Sequence, residues 1–177
     1  QGAPLTPIFH NVLANKINKK FSLGFPLNIL NIGGISNITS TVSWENLECV
    51  DKIFAFDIGP GNCLIDEWIR KNSSKEYDEN GLVASSGTVD KLVLNQALEN
   101  FTVNSNYKKS LDIKDFDVFF AKGLSLENGA ATVTSFTASL ITDGMNYAHK
   151  INQSDMNKWL VCGGGRKNKH LLESIKN

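Results

Sequence analysis

The chain has 177 residues, of which 41% are hydrophobic and 20% charged, and its 18 basic residues balance its 18 acidic ones. This is the composition of a folded globular protein with one sizeable core. The zero net charge excludes the basic footprint of a nucleic-acid binder, and no apolar run is long enough to cross a bilayer. Cys49, Cys63 and Cys162 share no metal-ligand spacing and read as reduced thiols of a cytoplasmic protein.

In chain order, Thr6-Pro7 starts a helix, a hydroxyl N-cap followed by proline at the first helical position. Ile8, Phe9, Val12, Leu13 and Ile17 fall on one helical face and are expected to be its buried stripe, with Lys16, Lys19 and Lys20 near the end of the dipole. His10 lies off that stripe and reads as a surface histidine. Next comes LNILNIGGISN, residues 27–37. A strand, the pair Gly33-Gly34 and a second strand predict a tight hairpin, because glycine accepts positive φ. The same turn suits an anion, since it leaves backbone N–H groups uncovered. A plain turn and an anion cradle are both compatible with these residues.

The segment IFAF, residues 53–56, reads as a further strand running into Asp57-Ile58-Gly59-Pro60-Gly61-Asn62 and then a helix with Leu64, Ile65, Trp68 and Ile69 buried. A strand, a glycine turn and a helix aim free N–H groups at an anion. Asp57 either caps this turn or holds a metal ion beside a phosphate, and Asp66 is a candidate brace for a neighbouring loop. Residues 71–81 read as a surface loop, and Thr88 as the cap of a helix carrying Val89, Leu92, Val93 and Leu98. The Lys108-Lys109 pair reads as a solvated face, and Phe116, Val118, Phe119 and Phe120 as core. The longest helix is expected over Ser125 to His149, with a local bend at Asp143-Gly144. Last, KWLVC is a strand ending in Gly163-Gly164-Gly165, three glycines on which a flat ring can lie, followed by a helix carrying Leu171, Leu172 and Ile175.

Hairpin strands first, then strands alternating with helices, predict an α/β domain with a mixed β-sheet flanked by helices. Three glycine turns at strand ends should converge at the carboxyl edge of one sheet, where open α/β folds bind ligands. None of them is a P-loop or a GxGxxG fingerprint.

The segments QGAPLTPIFH, LNIGGISN, FDIGPGN followed by LIDEWI, and LVCGGGRKN resemble, in that order, the 1,6-anhydro-N-acetylmuramic acid kinases of the sugar-kinase, actin and heat-shock-chaperone superfamily. The resemblance implies a ribonuclease-H-like (actin-like ATPase) domain, here incomplete. Residues 1–177 would be a single, mostly C-terminal nucleotide-binding domain of a two-domain cytoplasmic kinase. It further implies ATP and Mg²⁺ as cofactors, an anhydro-N-acetylmuramic acid substrate opened by water as it is phosphorylated, and a homodimer. By position, Asn31, Gly33, Gly34 and Asn37 would form the second phosphate loop. Asp57, Gly59, Gly61 and Asn62 would lie beside the phosphates, with Asp57 at the Mg²⁺, and Gly163, Gly164 and Gly165 under the adenosine.

The family's first phosphate loop and its glutamate-alanine motif have no counterpart here, and its catalytic aspartate falls just before QGAPL, so no catalytic residue is assigned in this chain. Leu111-Asp112 stand where the family has threonine-glycine after Lys109-Ser110. The expectation is a fragment inactive alone; the alternative is a non-catalytic nucleotide- or partner-binding module.

Overall fold

Residues 6–45, 53–101, 107, 110–153 and 158–176 are described by the structure, a computed structural model. Cys49 and the Lys108-Lys109 pair lie outside them. Strands β1 (Leu27–Ile32), β2 (Ile35–Thr41), β3 (Phe54–Pro60) and β4 (Lys158–Cys162) form one sheet in the order β3-β2-β1-β4. The hairpin pairs β1 with β2 antiparallel, β3 joins β2 antiparallel, and β4 lies parallel to β1. This is the mixed α/β sheet of an actin-like, ribonuclease-H-like kinase domain.

One face of the sheet carries almost the whole core. Helices α2 (Asn62–Asn72), α3 (Leu82–Ser86), α4 (Lys91–Asn100), α5 (Leu126–Asn152) and α6 (Lys169–Lys176) stand on this side. Leu30, Ile32, Ile38 and Ile58 from the strands meet Leu64, Ile65, Trp68 and Ile69 of α2 and Val133, Phe136, Leu140 and Ile141 of α5. The predicted α2 stripe is the observed one. Close approach is built into α5: a Cβ at Gly129 would overlap the Trp68 ring, and one at Gly144 would overlap Ile58. The helix runs unbroken through Asp143-Gly144, so the glycine serves contact with β3 rather than a bend. Trp68 is 3% exposed and its Nε1–H donates to the Leu126 carbonyl at 2.9 Å. Truncating such a side chain to alanine costs about 3–5 kcal/mol.

The other face is covered by α1 (Thr6–Phe21) alone among the described helices, over a small cluster of Ala14, Leu27 and Ile29. Here the sequence reading fails. The side of α1 turned to the sheet is polar around Ala14: Asn11 Oδ1 accepts from Val42 N–H at 2.9 Å, and Asn15 donates to the Val42 carbonyl and accepts from Trp44 N–H. His10, expected at the surface, bonds Thr39 Oγ1 at 2.8 Å, and partial burial lowers its pKa. Of the expected buried stripe, Ile8, Phe9 and Leu13 point out, 56%, 63% and 39% exposed, while Val12 and Ile17 are half-buried. Helical periodicity finds an apolar face but cannot say which body it meets.

Three further expectations change. Phe119, expected in the core with Phe116, Val118 and Phe120, is 70% exposed. The loop after α2 contains a 3-10 turn and α3, held by Asp78, which is 5% exposed and accepts from Val83 N–H and Ala84 N–H at 2.8 and 2.9 Å. Asp90 rather than Thr88 caps α4, accepting from Leu92 and Val93 N–H. The aspartate outcompetes the threonine as an acceptor at a helix start.

Candidate functional site

The three glycine turns meet at one edge of the sheet, as strand-end logic requires. The Gly33 carbonyl accepts from Asn62 N–H at 2.7 Å, and the Gly34 carbonyl from Gly61 N–H at 2.8 Å and Cys63 N–H at 3.3 Å. Asn62, the first residue of α2, donates from Nδ2 to the Ile32 carbonyl at 3.4 Å and lies against Gly164 and Gly165. A Cβ on Gly163 would overlap the Ile32 carbonyl, and one on Gly165 the Ile32 side chain. Hairpin, α2 start and glycine triplet are thus one knit structure.

This geometry corrects the expectation of a free helix N-terminus at Gly61-Asn62. The hairpin carbonyls already satisfy those donors. The uncommitted backbone donor lies on the hairpin itself. In a planar trans peptide the C=O and the following N–H point opposite ways. With the Gly33 carbonyl turned onto α2, Gly34 N–H faces away from it, at an exposed residue. The warrant for these glycines also changes, because neither has the positive φ expected of them; Gly163, at φ 80°, does.

The predicted glycines then divide by what a Cβ would meet. At Gly61, Gly163 and Gly165 it would collide, so these residues are required by packing. Gly59 is intermediate, 3.3 Å from Leu140 Cδ1. At Gly33 the nearest atom would be the Ile35 carbonyl oxygen at 3.4 Å, and at Gly164 the Asn62 Nδ2 at 3.5 Å. At Gly34 it would be the flexible tip of Ile113 at 3.2 Å. Neither backbone conformation nor packing demands glycine at 33 and 164, and at 34 only a mobile methyl stands near. What a bare backbone provides there is room for another molecule to come close.

Beside the turns, strand register assembles a polar row. Asn31 lies opposite Asn37, Asn37 opposite Asp57, and Asn31 opposite Cys162, one residue from each of the four strands. Paired residues share a face, and all four are half-buried. The row lies on the α1 side, two residues along from Ile29 and Thr39, at the end of that face nearest the glycine turns. The Cys162 thiol donates to Asn31 Oδ1 at 3.6 Å, and burial raises its pKa. The opposite atom of that amide, Nδ2, lies 3.8 Å from where a Gly33 Cβ would stand. Asn31 therefore turns a donor toward the hairpin turn.

Asp57 is not the turn cap that one reading made it, for it lies inside β3. Its Oδ2 accepts from Leu111 N–H at 3.0 Å and Ser110 Oγ–H at 3.3 Å, while Oδ1 accepts no hydrogen bond among the described residues. Loop bracing, expected of Asp66, thus falls to Asp57 and Asp78. Asp66 is half-buried on α2 with its pKa raised to about 6, chiefly by burial. No group of three or more metal-ligating side chains occurs among the described residues. Asp57 is the one carboxylate of the row, which fits Mg²⁺: it keeps most of its waters and takes one or two carboxylates plus phosphate oxygens. A separate pocket of about 210 Å³ opens between α2, α4 and α5, lined by Leu64, Phe101, Phe116, Phe120, Phe136 and Asp117 among others.

Sequence reasoning missed Cys162 as the neighbour of Asn31, and Ser110-Leu111 as the segment that Asp57 holds. Counting register outward from a two-residue turn at Gly33-Gly34 sets Asn31 opposite Ser36; the observed register is one residue off that count and pairs Asn31 with Asn37. The parallel partner of β1 carries no such local signal.

Fold and edge together define an α/β domain of the actin-like kinase class. The chain belongs to the anhydro-N-acetylmuramic acid kinase family, whose model matches residues 1–177. It is 49% identical over 181 residues to the anhydro-N-acetylmuramic acid kinase of Pelagibacter ubique, covering 99% of this chain and 45% of that protein. It is 39% identical to the kinase of that name from Methylorubrum populi, and 37% to that of Rhizorhabdus wittichii, covering 99% of this chain and 43% and 44% of theirs. The chain thus spans less than half the length of these curated relatives.

Proposed function

We propose that this chain is the nucleotide-binding part of an ATP-dependent kinase that converts 1,6-anhydro-N-acetylmuramic acid to N-acetylmuramic acid 6-phosphate, with water opening the anhydro ring, in cytoplasmic recycling of cell-wall sugar. The observation that carries the reading is the open edge, where bare backbone at Gly33, Gly34 and Gly164 adjoins the row that ends in Asp57. Gly34 N–H and Asn31 Nδ2 would donate to phosphate oxygens, and the face of Gly164 would receive the flat base. Asn37 would stand between Asn31 and Asp57 as a further polar contact. Mg²⁺, held through Asp57 and its own waters, supplies charge neutralisation at the phosphates. Gly59, Gly61, Asn62, Gly163 and Gly165 would act by holding these parts together. The sugar and the homodimer enter the proposal through family membership.

No residue of this chain is assigned the activation of water, so the polypeptide alone is expected to turn over no anhydro sugar. Calorimetric titration of the chain with ATP tests the reading: binding should tighten when Mg²⁺ is added, and Asp57→Asn should abolish that tightening while faster amide exchange appears at Leu111. ATP binding indifferent to Mg²⁺ in both proteins would remove Asp57 from the site and leave it as the loop anchor alone.

A further inference from the structure

We propose that the pocket between α2, α4 and α5 is a binding site for a small organic cation, an ammonium group carried on an apolar body. Its walls are four phenylalanines: Phe101 at the end of α4, Phe116 and Phe120 in the segment before α5, and Phe136 within α5. The rings touch one after another. Phe101 stacks on Phe116 with centroids 5.5 Å apart, Phe136 meets Phe101 edge-on at 5.6 Å and 85°, and Phe120 leans on Phe136 at 5.0 Å. The ring planes therefore turn through a right angle instead of lying parallel, the kind of arrangement with which aromatic side chains enclose an ammonium group. Phe101, Phe116 and Phe120 are only half-buried, so packing within the domain leaves ring surface for a ligand.

Charge sets the sign of that ligand. Asp115 and Asp117, both exposed, flank Phe116 in the lining, and no lysine, arginine or histidine is among the described residues that line the pocket. Both carboxylates are held by backbone donors: Asp115 Oδ2 accepts from Asp112 N–H at 2.8 Å, and Asp117 Oδ1 from Phe119 N–H at 2.7 Å. A carboxylate already fixed gives up little side-chain freedom when a cation arrives, and the pair repels an anion. Volume sets the size. The pocket holds about 210 Å³, and an apolar cavity of about 150 Å³ accepts benzene, so a benzyl group fits with its ammonium beside the aspartates. None of the glycine turns or of the row from Cys162 to Asp57 lines this pocket, so the inference does not rest on the nucleotide reading.

The probe is benzyltrimethylammonium, titrated into the chain and followed by the backbone amide signals. Benzyl alcohol, the ring without the charge, and benzoate, the ring with the opposite charge, are titrated beside it. The cation should bind with a Kd of about 1 mM or tighter, benzyl alcohol about tenfold more weakly, and benzoate not at all. The shifting amides should cluster at residues 97–101 and 115–120. Phe120→Leu keeps an apolar side chain but removes a ring, and should weaken the cation about fivefold. Asp117→Asn keeps an acceptor for Phe119 N–H and should weaken it about threefold, with benzyl alcohol unaffected. Melting curves report whether each variant folds, and Asp117→Asn decides if Phe120→Leu does not. Glu173→Gln, which removes an exposed carboxylate of α6, is the control and should change nothing. No binding of the cation at about 10 mM, equal affinity for benzyl alcohol, or competition by benzoate would overturn the inference. So would shifts centred elsewhere, affinity unmoved by Asp117→Asn, or an equal loss with Glu173→Gln.

Discussion

The two faces of the sheet are built on opposite principles. On the α2–α5 face the strands present Leu30, Ile32, Ile38 and Ile58, with buried Asn28 and Ser40 bonded to Asn152 at the end of α5; helices press close enough that Gly129 and Gly144 have no room for a side chain, and α5 runs 27 residues without a break. On the α1 face one helix docks through Ala14, two asparagine amides and a histidine over Leu27 and Ile29, with Leu160 partly buried beside them, and a half-buried polar row lies toward the glycine turns. The first face stabilises the domain, and in the proposed reading the second is the one that meets other molecules. The glycine turns lie where the two faces join, and they divide in the same way: Gly61, Gly163 and Gly165 are filled against neighbours, while Gly33 and Gly164 stand open.

That contrast is broken or sharpened most by Gly61→Ala. Its Cβ would overlap a backbone carbonyl, which cannot swing aside as a side chain can. The expected loss is about 3 kcal/mol, a fall in Tm of roughly 10 °C at this chain length. A melting curve within a degree or two of the wild type would show that the hairpin and α2 are not locked together. Smaller is the effect of Asp78→Ala, which leaves two helix-start N–H groups unsatisfied in a buried place. Thermal or urea unfolding should show a loss of about 1–3 kcal/mol, with no change in nucleotide affinity.

Asp66→Asn should act in the other direction. The folded carboxyl titrates near 6, above its ordinary range, because burial disfavours the charged form. Between about pH 4 and pH 6 the native state holds a proton that the unfolded chain has lost, so this group lowers stability as pH rises through that window. Replacing it should raise Tm by a few degrees at about pH 7.5 and leave it unchanged near pH 4. A gain equal at both pH values would assign the effect to something other than ionisation.

Much of the fold was legible in the sequence. Alternation around Gly33-Gly34, the α2 stripe and the apolar run before Gly163 each report a local period, and local periods survive into the structure. The α1 face was not legible, because Ile8, Phe9 and Leu13 have the same spacing whether their partner is this sheet or another body. The candidate site was legible in its parts but not in its wiring. The glycines at 33, 34, 61 and 163–165 stood out as turns, yet which of them hold the chain and which leave space depends on contacts between segments far apart in sequence. The same is true of Asp57, whose loop contact lies more than fifty residues away.

The central claim is that the open glycines serve a ligand rather than the fold, and Gly33→Ala tests it most directly. A methyl group fits there without collision, so the melting curve should match the wild type. ATP titrated calorimetrically in the presence of Mg²⁺ should bind at least tenfold more weakly, because the methyl stands where a phosphate must approach the backbone. Unchanged affinity with unchanged stability would contradict the account and return Gly33-Gly34 to a plain hairpin turn.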